Sequence, residues 1–330
     1  MITDSRLRKC AMRAGLAAAL TWVAAADAAD YPARPVAIIM PAPTGSGPDV
    51  IARITGASLA RSLGQQIVIL NRPGAGGLNG VDAAAHIRPD GYTLYMPLSS
   101  TFVVLPVSHP KEMQLDLKRD LVPIGLVGEQ PMVIAVNPGL GVKTMAQLVQ
   151  LAKHRSGRIF YGSNAGSLPS LTAALLQRHT GMKLTFVPYA STAKATQDTV
   201  SGVLQLVVES ASGLAGPIRS GELIPLAVAA DRRLAEFPDL PTVEEALPGI
   251  GHFAARGWFA LMAHAGTPET IVEKLRVQLQ RTLGQPEVQR KFAALGTYVR
   301  PMSPADLAVF IDKEQTLWRP VVEHVFIAGH

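Results

Sequence analysis

Four short stretches of this chain combine glycine, hydroxyl and amide residues where an apolar run gives way to a helical pattern. They are "PAPTGSGPD" from Pro41, "PLSSTF" from Pro97, "YGSNAGSLPS" from Tyr161 and "PYASTAKA" from Pro188. Such turns present backbone N–H groups and hydroxyls, and each stands at the positive end of a helix dipole. The chemistry they suit is the holding of an anion. Taken singly, each reads as a helix N-cap, with Ser167 and Ser191 as capping residues. Four of them in one chain, with no catalytic constellation beside them, favour an anion site.

The usual catalytic constellations are missing from the sequence. Histidines stand at 86, 109, 154, 179, 252, 264, 324 and 330, and no two have a metal-ligand spacing. Ser163 lacks the Gly-x-Ser-x-Gly frame of a nucleophile elbow. "GLGVKT" has Lys143 without the glycine spacing of a phosphate loop, and in "GAGGLNG" the third glycine, Gly80, falls one position late for a dinucleotide fingerprint. Without a nucleophile–base pair or a metal site, hydrolysis is disfavoured. An enzyme is not expected, nor is a cofactor.

The elements that must position these turns follow from periodicity. Val36–Met40, Gln66–Leu70 and Tyr92–Met96 read as strands, with helices from about Pro48 to Leu63 and from near Gly77. This is the rhythm of a parallel sheet covered by helices. The pattern changes at Leu121–Val136, a long apolar stretch interrupted by Gly125, Gly128 and Pro131. It restarts with a capping box at Thr144–Gln147 and strands at Arg158–Tyr161, Leu184–Val187 and Val203–Val208. Leu223–Ala230 and Trp258–Ala263 are further apolar segments, followed by helices opened at Thr267-Pro268 and Ser303-Pro304. The expected fold is α/β with two lobes: 29–125 plus 226–330 form the first, and 126–225 form the second, inserted lobe. Ligands of open α/β sheets bind outside the carboxyl ends of the strands. With two turns in each lobe, both sets can face one cleft.

Residues 1–28 read as a signal peptide: Arg6, Arg8, Lys9 and Arg13 precede an apolar run from Ala14 to Ala26, and Ala26-Asp27-Ala28 is a cleavage site. Export to the periplasm is therefore expected. The single cysteine, Cys10, lies in this leader, so the remainder excludes disulfides and thiolate chemistry. The net charge of +6 over 330 residues is partly the leader's own, and no basic run with interleaved aromatics is present, which argues against nucleic acid as a partner.

The chain resembles the Bug family, the periplasmic receptors of tripartite tricarboxylate transporters. The resemblance rests on "YPARPVAIIMPAPTGSGPD", "LGQQIVILNRPGAGGLNG", "PDGYTLYM", "YGSNAGSLPS", "VPYASTAKATQD", "GELIPLAVAADRR", "FPDLPTVEEA" and "GWFALMAHAGTP", in that order. It implies a periplasmic-binding-protein fold of the Venus flytrap kind, type II, each lobe a mainly parallel sheet flanked by helices. It also implies a monomer that binds a small carboxylate (a di- or tricarboxylate, an acidic amino acid or an aromatic acid) and delivers it to inner-membrane permease subunits. A sensory role, docking on a membrane kinase, is the alternative.

Carried over position by position, the resemblance assigns ligand binding to Pro43, Thr44, Gly45, Ser46 and Asp49, then to Ser99, Ser100 and Thr101 in the first lobe. In the second lobe it assigns Ser163, Asn164, Gly166, Ser167 and Ser170, then Tyr189, Ser191 and Thr192. "NRPGAGG", from Asn71, is expected to be mainly structural. Three positions depart from the family pattern. Ala42 stands where phenylalanine is common, which removes an aromatic wall from the expected pocket. Ala190-Ser191 replaces Lys-Gly, and Val208-Glu209-Ser210 replaces Phe-Asp-Asn. Glu209 at the cleft would suit a ligand ammonium or hydroxyl; the competing expectation points it to solvent.

Overall fold

The computed structural model describes residues 31–326, so the signal peptide expected over 1–28 lies outside the described residues. The chain opens on β1 (Val36–Met40), α1 (Gly47–Leu63), β2 (Ile67–Asn71), α2 (Leu78–Ala85) and β3 (Thr93–Tyr95). Two short helices, α3 (Ser99–Val103) and α4 (Leu105–Ser108), lead into β4 (Leu121–Val136). Next come α5 (Met145–His154), β5 (Phe160–Ser163), α6 (Leu168–Thr180), β6 (Thr185–Pro188), α7 (Thr192–Val200), β7 (Leu206–Ser210), α8 (Ala211–Arg219) and β8 (Ile224–Ala229). The chain closes with α9 (Val243–Ala246), β9 (Arg256–His264), α10 (Glu269–Leu283), α11 (Pro286–Ala294) and α12 (Pro304–Phe326).

β1 pairs in parallel with β2 on one edge and β3 on the other. Most of β1 is buried, because α1 covers one face with Ile51, Ala52, Thr55 and Leu59, a stripe at helical spacing. The long apolar stretch from Leu121 is one strand of 16 residues, and Gly125 and Gly128 sit at irregularities of its pairing without ending it. Its first part, Leu121–Pro131, pairs antiparallel with β9. Its last part, Met132–Val136, pairs antiparallel with β7 and with β8 on opposite edges. The expected return of the chain at 226 thus falls inside β8, a strand held by the inserted half of the sheet.

The strand order is β2-β1-β3-β9-β4 in one half and β6-β5-β7-β4-β8 in the other, so both halves repeat the same pattern and share β4. Register then fixes where the carboxyl ends point. Leu98, just past β3, bridges Phe259, and Arg256 at the head of the same strand lies opposite Pro131. Ser210, at the end of β7, lies opposite Met132. The carboxyl ends of both halves therefore run toward one crossing point on β4.

The last helix ties the halves together by packing on α3, α4, β4 and α6. Under it Trp258 is fully buried, its ring 5.4 Å from that of Phe102 and 5.6 Å from that of Phe310. Trp258→Ala is expected to cost about 3–5 kcal/mol, the range for removing a buried aromatic from a packed core. A shift of the urea midpoint with an unchanged slope is the measurement that checks it.

Candidate functional site

The turn after β1 and the turn after β5 are copies of one another. Gly45 has φ +81 and Gly166 φ +72, conformations that favour glycine. The next residue caps the helix in each case: Ser46 at φ −71, ψ 161 and Ser167 at φ −72, ψ 160, with a proline at the start of the helix. Ser46 donates from its amide to Pro43 O (3.2 Å) and from Oγ to the same oxygen (2.7 Å). Ser167 donates to Asn164 O at 3.2 Å and 2.6 Å. With each serine hydroxyl turned onto its own turn, neither caps a helix amide through its side chain. The first-turn N–H groups have no acceptor inside the helix, and they stand at the positive end of the dipole. The arrangement can bind an anion from each half of the fold.

The first turn is braced from below by Asp49, which is 1% exposed. Its Oδ2 accepts from the Gly45 amide and from Arg53 Nε, both at 2.8 Å, and its Oδ1 accepts from Asn71 Nδ2 at 2.9 Å. Asn71 Nδ2 also donates to Ala42 O, and Thr44 Oγ1 donates to Asn71 Oδ1 at 3.1 Å. Burial alone would raise the Asp49 pKa, but hydrogen bonds from Arg53, Gly45 and Asn71 outweigh it and hold the carboxyl below its usual range. Asp49 thus shapes the turn and has its oxygens occupied. Asn71 and Arg53 complete the brace. Sequence reasoning set Asn71 aside as structural and passed over Arg53, although an acid and an arginine at i, i+4 was the legible signal. Ala42 is buried in the core of its own half, so the missing phenylalanine does not open a wall there.

The remaining candidates divide the same way. Ser100 is partly exposed, Ser99 is buried, and Thr101 is buried next to the Tyr95 hydroxyl. Ser163 is 1% exposed and shares a 2.8 Å hydrogen bond with Ser167 Oγ, so it supports the second turn from beneath. Ser170 is also buried, its Oγ donating to Ser167 O. Asn164 is exposed and donates to Ala190 O at 3.2 Å, joining the turn after β5 to the turn after β6. Tyr189 lays its ring over Gly162 and donates from Oη to Asp198 Oδ2 at 2.8 Å. Ser191 caps α7, accepting from the Lys194 amide, and Thr192 opens that helix partly exposed. Glu209 meets neither expectation. It folds back onto the start of α8, accepting from the Ser210 amide, with Gly213 against its stem. Burial pushes its pKa up. Phe326, at the end of α12, lies on the second turn: a Cβ on Gly166 would come within 2.5 Å of its ring. No group of three or more His, Cys, Asp or Glu side chains suited to a metal ion forms among the described residues.

A family profile described as "Tripartite tricarboxylate transporter family receptor" matches residues 51–327. The protein BugT of Bordetella pertussis is 36% identical to this chain over 310 residues, 93% of this chain and 94% of that protein. The solved structure titled "R. palustris Rpa4515 with adipate" overlays with a TM-score of 0.76 at 29% identity, covering 90% of this chain and 98% of that one. MatC from Rhodopseudomonas palustris with bound malate overlays with a TM-score of 0.72 at 30% identity, covering 89% and 100% respectively.

The brace predicts a pH-dependent variant. The depressed Asp49 pKa contributes stability that is fully present above the unfolded carboxylate value of about 4 and is lost as pH falls through the folded value. Asp49→Asn is therefore expected to lose about 1–3 kcal/mol at neutral pH, since the amide sets N–H against N–H. The gap from the parent should narrow below about pH 4. Urea unfolding at neutral and acid pH reads both.

Proposed function

The chain belongs to the tripartite tricarboxylate transporter receptor family, and we propose that its two halves close over a small dicarboxylate and present it to a membrane permease. The family is one of periplasmic solute receptors, not enzymes. The observation that carries the reading is the repeated turn. One anion-competent helix start in each half suits a ligand with a carboxylate at each end. Two neighbours of this fold carry adipate and malate, both of that type.

In this reading the open form receives one carboxylate on the exposed turn Pro43–Gly47, with Ser100 beside it. Bending about β4 at residues 131–132 and the neighbouring head of β9 then brings Asn164–Ser167, with Ser191 and Thr192, onto the other carboxylate. Asp49 braces the first of these turns from behind, and Ser163, Ser170 and Tyr189 support the turn after β5; Thr101 and Glu209 stay out of contact with the ligand. The leader directs the chain to the periplasm, where it works as a monomer.

Binding to the folded form alone raises its stability by about 2.7 kcal/mol at a hundredfold excess of ligand over Kd. A thermal-shift panel of ligand-free protein should therefore show shifts from α,ω-dicarboxylates well above those from monocarboxylates of equal length. Equal shifts from both series, or none from either, would sink the proposal.

A further inference from the structure

Charge is spread unevenly along this chain. Between Glu129 and Asp198 stand seven lysines and arginines and not one aspartate or glutamate. Beyond the leader, the rest of the chain carries 20 basic and 23 acidic residues, so the positive balance resides in this one stretch. Folding gathers four of the seven, Lys153, Arg155, Arg158 and Lys183, all exposed, at one end of the second half. Lys153 lies in the last turn of α5, and Arg155 follows as its C-cap. The Gly157 amide donates to Lys183 O at 3.3 Å and the Thr185 amide to Ile159 O at 2.9 Å, so the loop before β5 and the turn before β6 run side by side. This is the amino end of both strands, opposite the end that carries the cleft turns.

Among the described residues no acid answers these four cations. The ion pairs of the second half join Lys194 to Asp198, Arg219 to Glu236 and Arg233 to Glu245, and none takes in the four. Asp198, the acid that ends the stretch, is occupied by Lys194 Nζ and by Tyr189 Oη. Apolar surface accompanies the charge. Four large apolar side chains are exposed among the described residues, and three of them, Phe160, Phe186 and Val203, belong to this region. Phe160 opens β5 two residues after Arg158, and its backbone bonds to Gln205 bring Val203 alongside. Phe186 lies on β6, the edge strand of the sheet, three residues past Lys183. A solvated basic face gains nothing from exposed rings, and clustered apolar exposure marks a contact surface. A bilayer with anionic headgroups uses both features: its surface charge draws in lysine and arginine, and apolar side chains enter the boundary of the acyl chains.

We infer that this end of the second half is a membrane-contact surface, with Lys153, Arg155, Arg158 and Lys183 on the anionic headgroups of a phospholipid bilayer and Phe160 and Val203 entering its outer boundary. The contact is separate from the cleft and does not depend on what the cleft holds. The carboxyl ends of β5, β6 and β7 point away from it, so a chain seated on the bilayer keeps its cleft open to solute. Seating also confines the chain's diffusion to the plane in which a permease lies.

The test is co-sedimentation with vesicles of phosphatidylcholine alone and of phosphatidylcholine mixed with phosphatidylglycerol. The chain is used with its leader removed, because the leader's own basic and apolar residues would bind vesicles. The expected result is binding to the mixed vesicles only, released at about 1 M salt, where the Debye length is about 3 Å. Lys153→Gln, Arg155→Gln, Arg158→Gln and Lys183→Gln should each lower the partition about fivefold. Phe160→Ser should lower it at every salt concentration, since apolar burial is not screened. Arg290→Gln, an exposed change on α11, should leave it unchanged, and equal thermal midpoints show that each variant is folded. Binding to neither vesicle, or equally to both, overturns the inference. So does an equal loss in Arg290→Gln, which would mean diffuse attraction by net charge. Capture on polyglutamate that the four charge variants abolish, without vesicle binding, would overturn it in favour of an acidic protein partner. A flat vesicle assay beside a positive dicarboxylate panel leaves the cleft reading standing, and the reverse result leaves this one.

Discussion

The fold depends on one strand being long enough to belong to two sheets. β4 takes β9 as a partner along its first part and β7 and β8 along its last. Antiparallel pairing on both parts obliges the parallel strands of each half to run toward the crossing, so their carboxyl ends meet there. A break at Gly125 or Gly128 would uncouple the halves. The strand instead absorbs both glycines as register shifts, because β9 follows it residue by residue from Arg256 to His264.

Given that frame, each half needs a helix start that is rigid yet has unsatisfied amides. The two turns solve this with one backbone conformation and different support. The first rests on a buried carboxylate with three hydrogen-bond donors around it. The second rests on hydroxyls, Ser163 and Ser170, and on the end of a distant helix. A charged brace beneath one turn and a neutral one beneath the other give the two helix starts different fields, although their geometry matches.

Much of this was legible in the sequence. Val36–Met40 and the helix to Leu63 declared themselves by apolar spacing, and the βαβ rhythm announced the parallel pairing of the first strands. The four turns were legible because glycine, serine and proline mark a helix start for known steric reasons. What stayed hidden was the direction of each polar side chain. Asp49 and Glu209 both stand at a strand–helix junction, yet one is clasped by Arg53 and Asn71 and the other bends onto its own helix. Asn71 reaches Asp49 only through the pairing of β1 with β2, and nothing in the local sequence says which way Glu209 turns. The same holds for the arginines at 256 and 300, which are far apart in sequence and share Asp231 only because β9 and the later stretch both pass β4.

The seat of Phe326 on Gly166 has a practical side. The end of α12 is a wedge against the turn after β5, so that turn is structurally wired to the last turn of α12. A fusion partner joined there, or a shortening by one helical turn, is not a neutral handle. It loosens the second helix start from outside the cleft and changes its behaviour with every cleft residue intact.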